Sequence, residues 1–280
     1  MALERTWPLI DVDELAAAAP DDAVRILDAR WRLGKPAAGR ELFQAGHIPG
    51  AVHVDMDRDL AAPPGLGGRH PLPSALAFAE AMSRSGVDGA TTVVAYDDGD
   101  GLGAARLWWL LRHFGHDAVL VLDGGFSAWQ AAGKPVEDGP GEAPPRRAFE
   151  AHPRRDDCLD LDGVQAALRG GELHLLDARP PERWRGEVEP IDPLPGRIPG
   201  SLNAPGVDNL RDGRFRPPAE LRDYASLGIL DGKPIAASCG SGVTACVTLL
   251  GLELAGIRRA KLYPGSYSEW LARGLPPERG

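Results

Sequence analysis

"VRILDARW", residues 24–31, is a short apolar run closed by an acid and a base, and residues 173–180 repeat it as "LHLLDARP". The repetition extends along the chain. "GHIPGAVHV" (46–54) returns as "GRIPGSLNA" (196–204), and "LDGGFSAWQAAGKPVE" (122–137) as "YPGSYSEWLARGLPPE" (263–278). The three matches keep their order at offsets of 149, 150 and 141 residues. A period that long is a duplicated domain and not a solenoid repeat, whose units are 20–50 residues.

Within each half, apolar runs too short for helices alternate with helical stretches. The runs are "RILDA", "TTVVAYD" and "AVLVLDGG", then "LHLLDA", "KPIAASC" and "RAKLYPG"; "PSALAFAEAMSRSG" and "GAARLWWLLRHFG" have helical character. That alternation predicts βαβ units, so each half is expected to be a small α/β domain with a mostly parallel sheet flanked by helices. Between the halves "DGPGEAPPRRAF" (138–149) cannot continue a helix or a central strand. The expected division is a first domain over 1–140, a linker over 141–151 and a second domain over 152–280.

A chain of 280 residues suits two cores. Its 43% hydrophobic and 25% charged residues fit a globular protein, and its 35 glycines and 26 prolines fit many loops. A net charge of -9 argues against nucleic acid or an anionic membrane as the main partner, since both are bound through basic surfaces. No apolar stretch approaches the roughly 20 residues needed to span a bilayer. "MALERTWPLIDVDEL" has neither the basic start nor the apolar region of a secretory signal, so the cytoplasm is the expected location.

Three cysteines, Cys158, Cys239 and Cys246, fit free thiols in a reducing compartment. Cys239 and Cys246 are about 10 Å apart if a helix separates them, too far for a disulfide. Cys246 reads as a small buried apolar residue. Cys239 is different, because "KPIAASCGSGVTACVTLLGLELAG" reads as a strand, a glycine loop and a helix with Val243, Val247, Leu250 and Leu254 on one face. In open parallel sheets, ligands bind outside the carboxyl ends of the strands, where Cys239 falls. A thiolate is the useful nucleophile, and the free thiol's value near about 8.5 falls at helix N-termini and beside cations. Gly240 and Gly242 would let successive N–H groups converge on the sulfur. In the first half the corresponding strand end carries Asp97, so only the second half has a nucleophile.

Other signals carry less. "GDGLGAA" (99–105) lacks the third-glycine register of a dinucleotide loop. The calcium-loop pattern begun by "DDGDG" meets Trp108 or Trp109 where a glutamate is needed. His113 and His116 lack partners for a tetrahedral metal set, and Trp108, Trp109 and Leu110 read as core. No cofactor and no metal are expected.

The duplication, the paired "DAR" strands, the "G[HR]IPG" turns, the Trp-bearing repeats and "CGSGVTAC" together resemble the two-domain rhodanese-type sulfurtransferases, over nearly the whole chain. The resemblance implies a tandem pair of rhodanese-like domains, the first without a nucleophile and the second forming a persulfide on Cys239. It implies a small sulfur donor, 3-mercaptopyruvate ahead of thiosulfate because "CGSGVT" is uncharged, and an acceptor such as cyanide, a thiol or thioredoxin. It also implies donor binding by the loop, residues Gly240, Gly242, Val243 and Thr244, and by Arg183 of "PERWRGEVEP", whose planar fork suits a carboxylate. The second arginine such enzymes have a few residues later is missing from "EVEPIDPLPG"; either Arg197 stands in for it or the second carboxylate contact is absent. "HVDMDRDL" and "GRHPLPS" match a segment that implies a relay of Asp57, His70 and Ser241. Two rivals remain. A related phosphatase needs an arginine closing the loop, and the first one after Cys239 is Arg258; a non-catalytic or protein-persulfide relay module needs no small donor.

Overall fold

The computed structural model describes residues 8–280 apart from 20, 222 and 223. It divides into two compact units. The first comprises residues up to 62, 73–153 and 212–215; the second comprises 63–72, 154–211 and 216–280.

The first unit holds a five-stranded sheet of Leu9–Ile10 (β1), Val24–Asp28 (β2), Val52–His53 (β3), Thr92–Tyr96 (β4) and Val119–Leu122 (β5). The order is β1-β5-β4-β2-β3 and every pairing is parallel. Its helices are Val12–Ala18 (α1), Ala38–Ala45 (α2), Ala75–Arg84 (α3), Leu102–His113 (α4) and Gly125–Ala131 (α5). Ser74 caps α3, its Oγ accepting the Ala77 N–H at 3.1 Å. Helix α4 is buried on nearly every side, and Trp108, Trp109 and Leu110 are core residues as expected.

The second unit repeats the plan with one strand fewer. Helix Leu161–Arg169 (α6) leads into His174–Asp177 (β6), Pro181–Trp184 (α7) and Leu202–Asn203 (β7). A short strand Leu210–Arg211 (β8) follows, and Arg214–Phe215 (β9) belongs to the first unit. Then come Ile235–Ser238 (β10), Thr244–Leu254 (α8), Lys261–Leu262 (β11) and Ser266–Ala272 (α9). The sheet order is β11-β10-β6-β7, all parallel. Strand β10 is therefore interior and buried along its length, which is why it reads as a continuous apolar run. The helix after it differs from expectation. Val243 is the residue before α8 and not part of it, and α8 is buried all round except at Thr244 and Glu253, so it has no single apolar face.

The repeated sequences make repeated contacts. In "DAR", the Arg30 guanidinium pairs with Asp28 at 2.6 Å and donates to the Gly46 carbonyl at 2.7 Å; Arg179 pairs with Asp177 at 2.7 Å and donates to Gly196 at 2.8 Å. Each guanidinium lies over an aromatic ring, Phe126 at 4.3 Å and Tyr267 at 4.2 Å. The repeated tryptophans each donate to a carbonyl six residues on, Trp129 to Pro135 and Trp270 to Pro276. Burial of such a charge is tolerable only because carboxylate, carbonyl and ring together replace water. No helix among the described residues is long and apolar enough to cross a membrane.

Candidate active site

Cys239 follows β10 at the carboxyl end of an interior strand. The Ser266 hydroxyl accepts its N–H at 3.1 Å, and its carbonyl accepts the Tyr267 N–H at 3.0 Å, so the residue is fixed from both sides. Two backbone donors then turn onto the sulfur: Ser241 N–H at 3.4 Å and Gly242 N–H at 3.1 Å from Sγ. Gly242 makes this possible with φ +79°, and a Cβ there would lie 2.5 Å from the Pro264 carbonyl oxygen. Helix α8 begins two residues later, and its aligned peptide dipoles add positive potential at that end.

Cys239 is 2% exposed and Cys246 is fully buried, so burial alone does not separate them. Hydrogen bonding does. The Cys239 sulfur accepts from two amides, whereas the Cys246 thiol donates to the Gly242 carbonyl at 3.3 Å. Cys158 is half-buried, and burial together with Asp157 and Asp160 pushes its thiol up to about 11. All three cysteines are free.

The segment 63–72 belongs to this second unit. It brings His70 to Ser241, with Nδ1 and Oγ 2.7 Å apart and both residues buried. Asp57 belongs to the first unit, where its carboxylate accepts the Trp31 indole N–H at 3.3 Å. Val243 is buried, and Thr244 opens α8.

Arg183 lies close to the loop, its Nη2 3.8 Å from where a Cβ on Gly240 would stand. Glu189 accepts from it at 2.7 Å and Asp192 at 3.1 Å. Glu189 is held below the usual carboxylate range, against its burial, by Arg183 and the amides of Asp192 and Ile191. Arg197 is occupied elsewhere. It pairs with Glu278, donates to the Gly280 carbonyl and stacks on Trp184 at 4.1 Å, a tie between the "GRIPG" turn and the chain's last residues. Arg69 lies beside the loop, its Nη2 2.6 Å from the same Cβ position, and pairs with the other oxygen of Asp192. Nothing local in "GRHPLPS" marks Arg69, because the loop it meets lies 171 residues further along.

The first unit shows what the duplicate loop became. Asp97 stands where Cys239 does, and its carboxylate accepts the N–H groups of Gly99 at 2.9 Å, Gly101 at 3.2 Å and Ala104 at 3.0 Å. The cradle is filled by the chain's own anion. Burial and the neighbouring Asp100 nevertheless push Asp97 up to about 7.

Comparison with known proteins identifies the family. The rhodanese-like domain family matches twice, over residues 11–132 and 160–273. A Pseudomonas aeruginosa protein provisionally named 3-mercaptopyruvate sulfurtransferase is 45% identical over 94% of this chain and 94% of its own. A Mycobacterium tuberculosis protein with the provisional name thiosulfate sulfurtransferase SseB is 41% identical over 94% of this chain and 93% of its own. The crystal structure of the 3-mercaptopyruvate sulfotransferase SseA from Escherichia coli superposes with a TM-score of 0.82 at 34% identity, covering 94% of this chain and 99% of that one.

Proposed function

Since this chain belongs to the rhodanese-like domain family, carrying two tandem copies, we propose that it is a sulfurtransferase drawing on 3-mercaptopyruvate through a persulfide on Cys239. The observation that carries the reading is the pair of amides aimed at the Cys239 sulfur, set against the carbonyl that accepts from Cys246.

In the first half-reaction the Cys239 thiolate attacks the donor sulfur. The carbon–sulfur bond breaks with its electron pair going to carbon, and the resulting enolate takes up a proton and leaves as pyruvate. The transferred sulfur stays on Sγ as a persulfide, its charge facing the Ser241 and Gly242 amides in a site largely closed to water. With thiosulfate the leaving group is sulfite. In the second half-reaction an acceptor thiolate or cyanide attacks the outer sulfur, and the electron pair of the sulfur–sulfur bond returns to Sγ. His70, bonded to Ser241, has the geometry to pass the proton that the enolate needs. Arg183 holds the donor carboxylate, exchanging part of its bonding to Glu189 for the substrate.

Three free cysteines fit work in the cytoplasm, where small thiols and thioredoxin supply the acceptor. The test is intact-protein mass spectrometry after treatment with 3-mercaptopyruvate. One sulfur is expected to be gained by the native chain and none by Cys239→Ser; no adduct on the native chain overturns the reading. Comparing kcat/KM for 3-mercaptopyruvate and thiosulfate decides the preferred donor, with the former expected to be higher.

A further inference from the structure

Arg25 is the second residue of β2, at the amino end of the first unit's sheet and so at the opposite end from Asp97, which follows β4. Arg30, five residues further, has its fork filled by Asp28. Arg25 has no such partner. Its Nε is buried without a hydrogen bond, and no carboxylate among the described residues forms an ion pair with it. Nε packs against the turn after α3, where a Cβ on Gly86, at φ +73°, would stand 3.2 Å from it and 3.0 Å from Pro144. Contact on that side fixes the stem but supplies no counter-charge.

A second guanidinium lies near it. Arg147 is anchored by its backbone N–H, which donates to the Ser83 carbonyl at 3.1 Å, and its side chain donates to the Thr91 hydroxyl at 3.1 Å and the Asp22 carbonyl at 3.2 Å. Burial and the Arg147 charge both push the Arg25 guanidinium below its ordinary value, and Asp22 offsets them only in part. An arginine does not give up its proton in a protein, so the repulsion stays. Asp88 does not relieve it. That carboxylate accepts from the Thr91 hydroxyl at 2.7 Å and the Ala90 N–H at 3.1 Å, and its ion pair, at 3.7 Å, is with Arg147.

The duplicated half shows the same place satisfied. "VRILDAR" and "LHLLDAR" align Arg25 with His174, and the sheets agree, with Arg25 beside Val93 of β4 and His174 beside Ile235 of β10. His174 Nε2 meets the Asp231 carboxylate at 2.8 Å. The second unit therefore pairs its base with an acid at this end of the sheet, where the first unit sets two arginines side by side and leaves one unanswered.

We propose that Arg25 and Arg147 form a binding site for a small oxyanion of the phosphate class. Two planar forks suit a tetrahedral anion, which offers oxygens to each and supplies the counter-charge that Arg25 lacks. Neither arginine belongs to the Cys239 site, so the anion site stands whether or not the chain transfers sulfur.

The test is calorimetric titration of the full chain with inorganic phosphate at constant ionic strength, with thermal unfolding to confirm that each variant folds. The native chain is expected to bind phosphate with a Kd of about 1 mM or below, a level that two charge-assisted contacts sustain. Arg25→Gln and Arg147→Gln should each bind at least about tenfold more weakly. Arg147→Gln carries the test if Arg25→Gln does not fold, since the Arg147 side chain is 30% exposed. Acetate, planar and singly charged, should bind at least about tenfold more weakly than phosphate, and equal affinities overturn the ligand class. Arg183→Gln should bind phosphate as the native chain does. Binding lost in Arg183→Gln but kept in the other two variants puts the phosphate in the Cys239 site and overturns the proposal. Unchanged affinity in either Arg25→Gln or Arg147→Gln, or no saturable binding by the native chain up to about 10 mM, overturns it as well.

Discussion

Replacing Gly242 with alanine strikes the sulfur cradle where it is tightest. At φ +79° a side chain costs about 1–2 kcal/mol in backbone strain. The added methyl would stand 2.5 Å from the Pro264 oxygen, where ordinary contact begins at 3.4 Å, so loop or carbonyl must yield by about 0.9 Å. Overpacking of that kind costs about 1–3 kcal/mol, giving a destabilisation of about 2–5 kcal/mol. The same shift lengthens the Gly242 N–H contact to Sγ from 3.1 Å to about 4 Å, the outer edge of hydrogen bonding to sulfur, so the donor is largely lost. Loss of one such donor lowers kcat by about 10²–10³. Gly274→Ala isolates the strain, because Gly274 has φ +73° with no atom within 4 Å of its Cβ position. Urea unfolding and cyanide-coupled turnover of the two variants are the assays. Equal destabilisation of both, with Gly242→Ala keeping more than about a third of native kcat, would refute the reasoning.

Three further outcomes are expected. Asp97, raised to about 7 from the ordinary 3.8, binds more protons in the folded chain, so its contribution to stability is full below about pH 4 and is lost as pH rises towards 7. Urea unfolding should therefore show native stability falling relative to Asp97→Asn across that window, by at most about 1.4 kcal/mol per pH unit, and a constant difference would contradict it. Arg179→Met leaves the Asp177 carboxylate buried without its cation and should destabilise by about 3–5 kcal/mol in the same assay; a cost under about 1 kcal/mol would show the pair to be dispensable. His70→Ala should still acquire sulfur on Cys239 in mass spectrometry but turn over about 10²-fold more slowly, and native turnover would remove His70 from the proton path.

Elements with a local signature were legible in advance. The runs that became β2, β4, β5, β6 and β10 each combine several apolar residues with a bounding turn, and α3 and α4 carry enough turns to show their character. The two-residue strands β1, β3 and β7 are too short to hold any pattern, and pairing with a neighbour is what makes them strands. Helix α8 misled for a different reason. A helix enclosed on all sides is apolar on all sides, so choosing one face from its sequence was arbitrary. Arg197 was the natural substitute for a missing arginine by sequence position, yet Glu278 and the Gly280 carbonyl had already filled its fork.

The chain's own order of residues determined the duplication, the parallel α/β halves and the single candidate nucleophile, because repeats, short apolar runs and a glycine loop after a strand act over a few residues each. Only the tertiary structure decided what surrounds Cys239. Segment 63–72 packs beside a loop about 170 residues away and brings His70 to Ser241 and Arg69 to Gly240, with Asp192 tying Arg69 to Arg183. Such contacts depend on side-chain shape and charge meeting across folded surfaces, and no periodicity or local spacing encodes them.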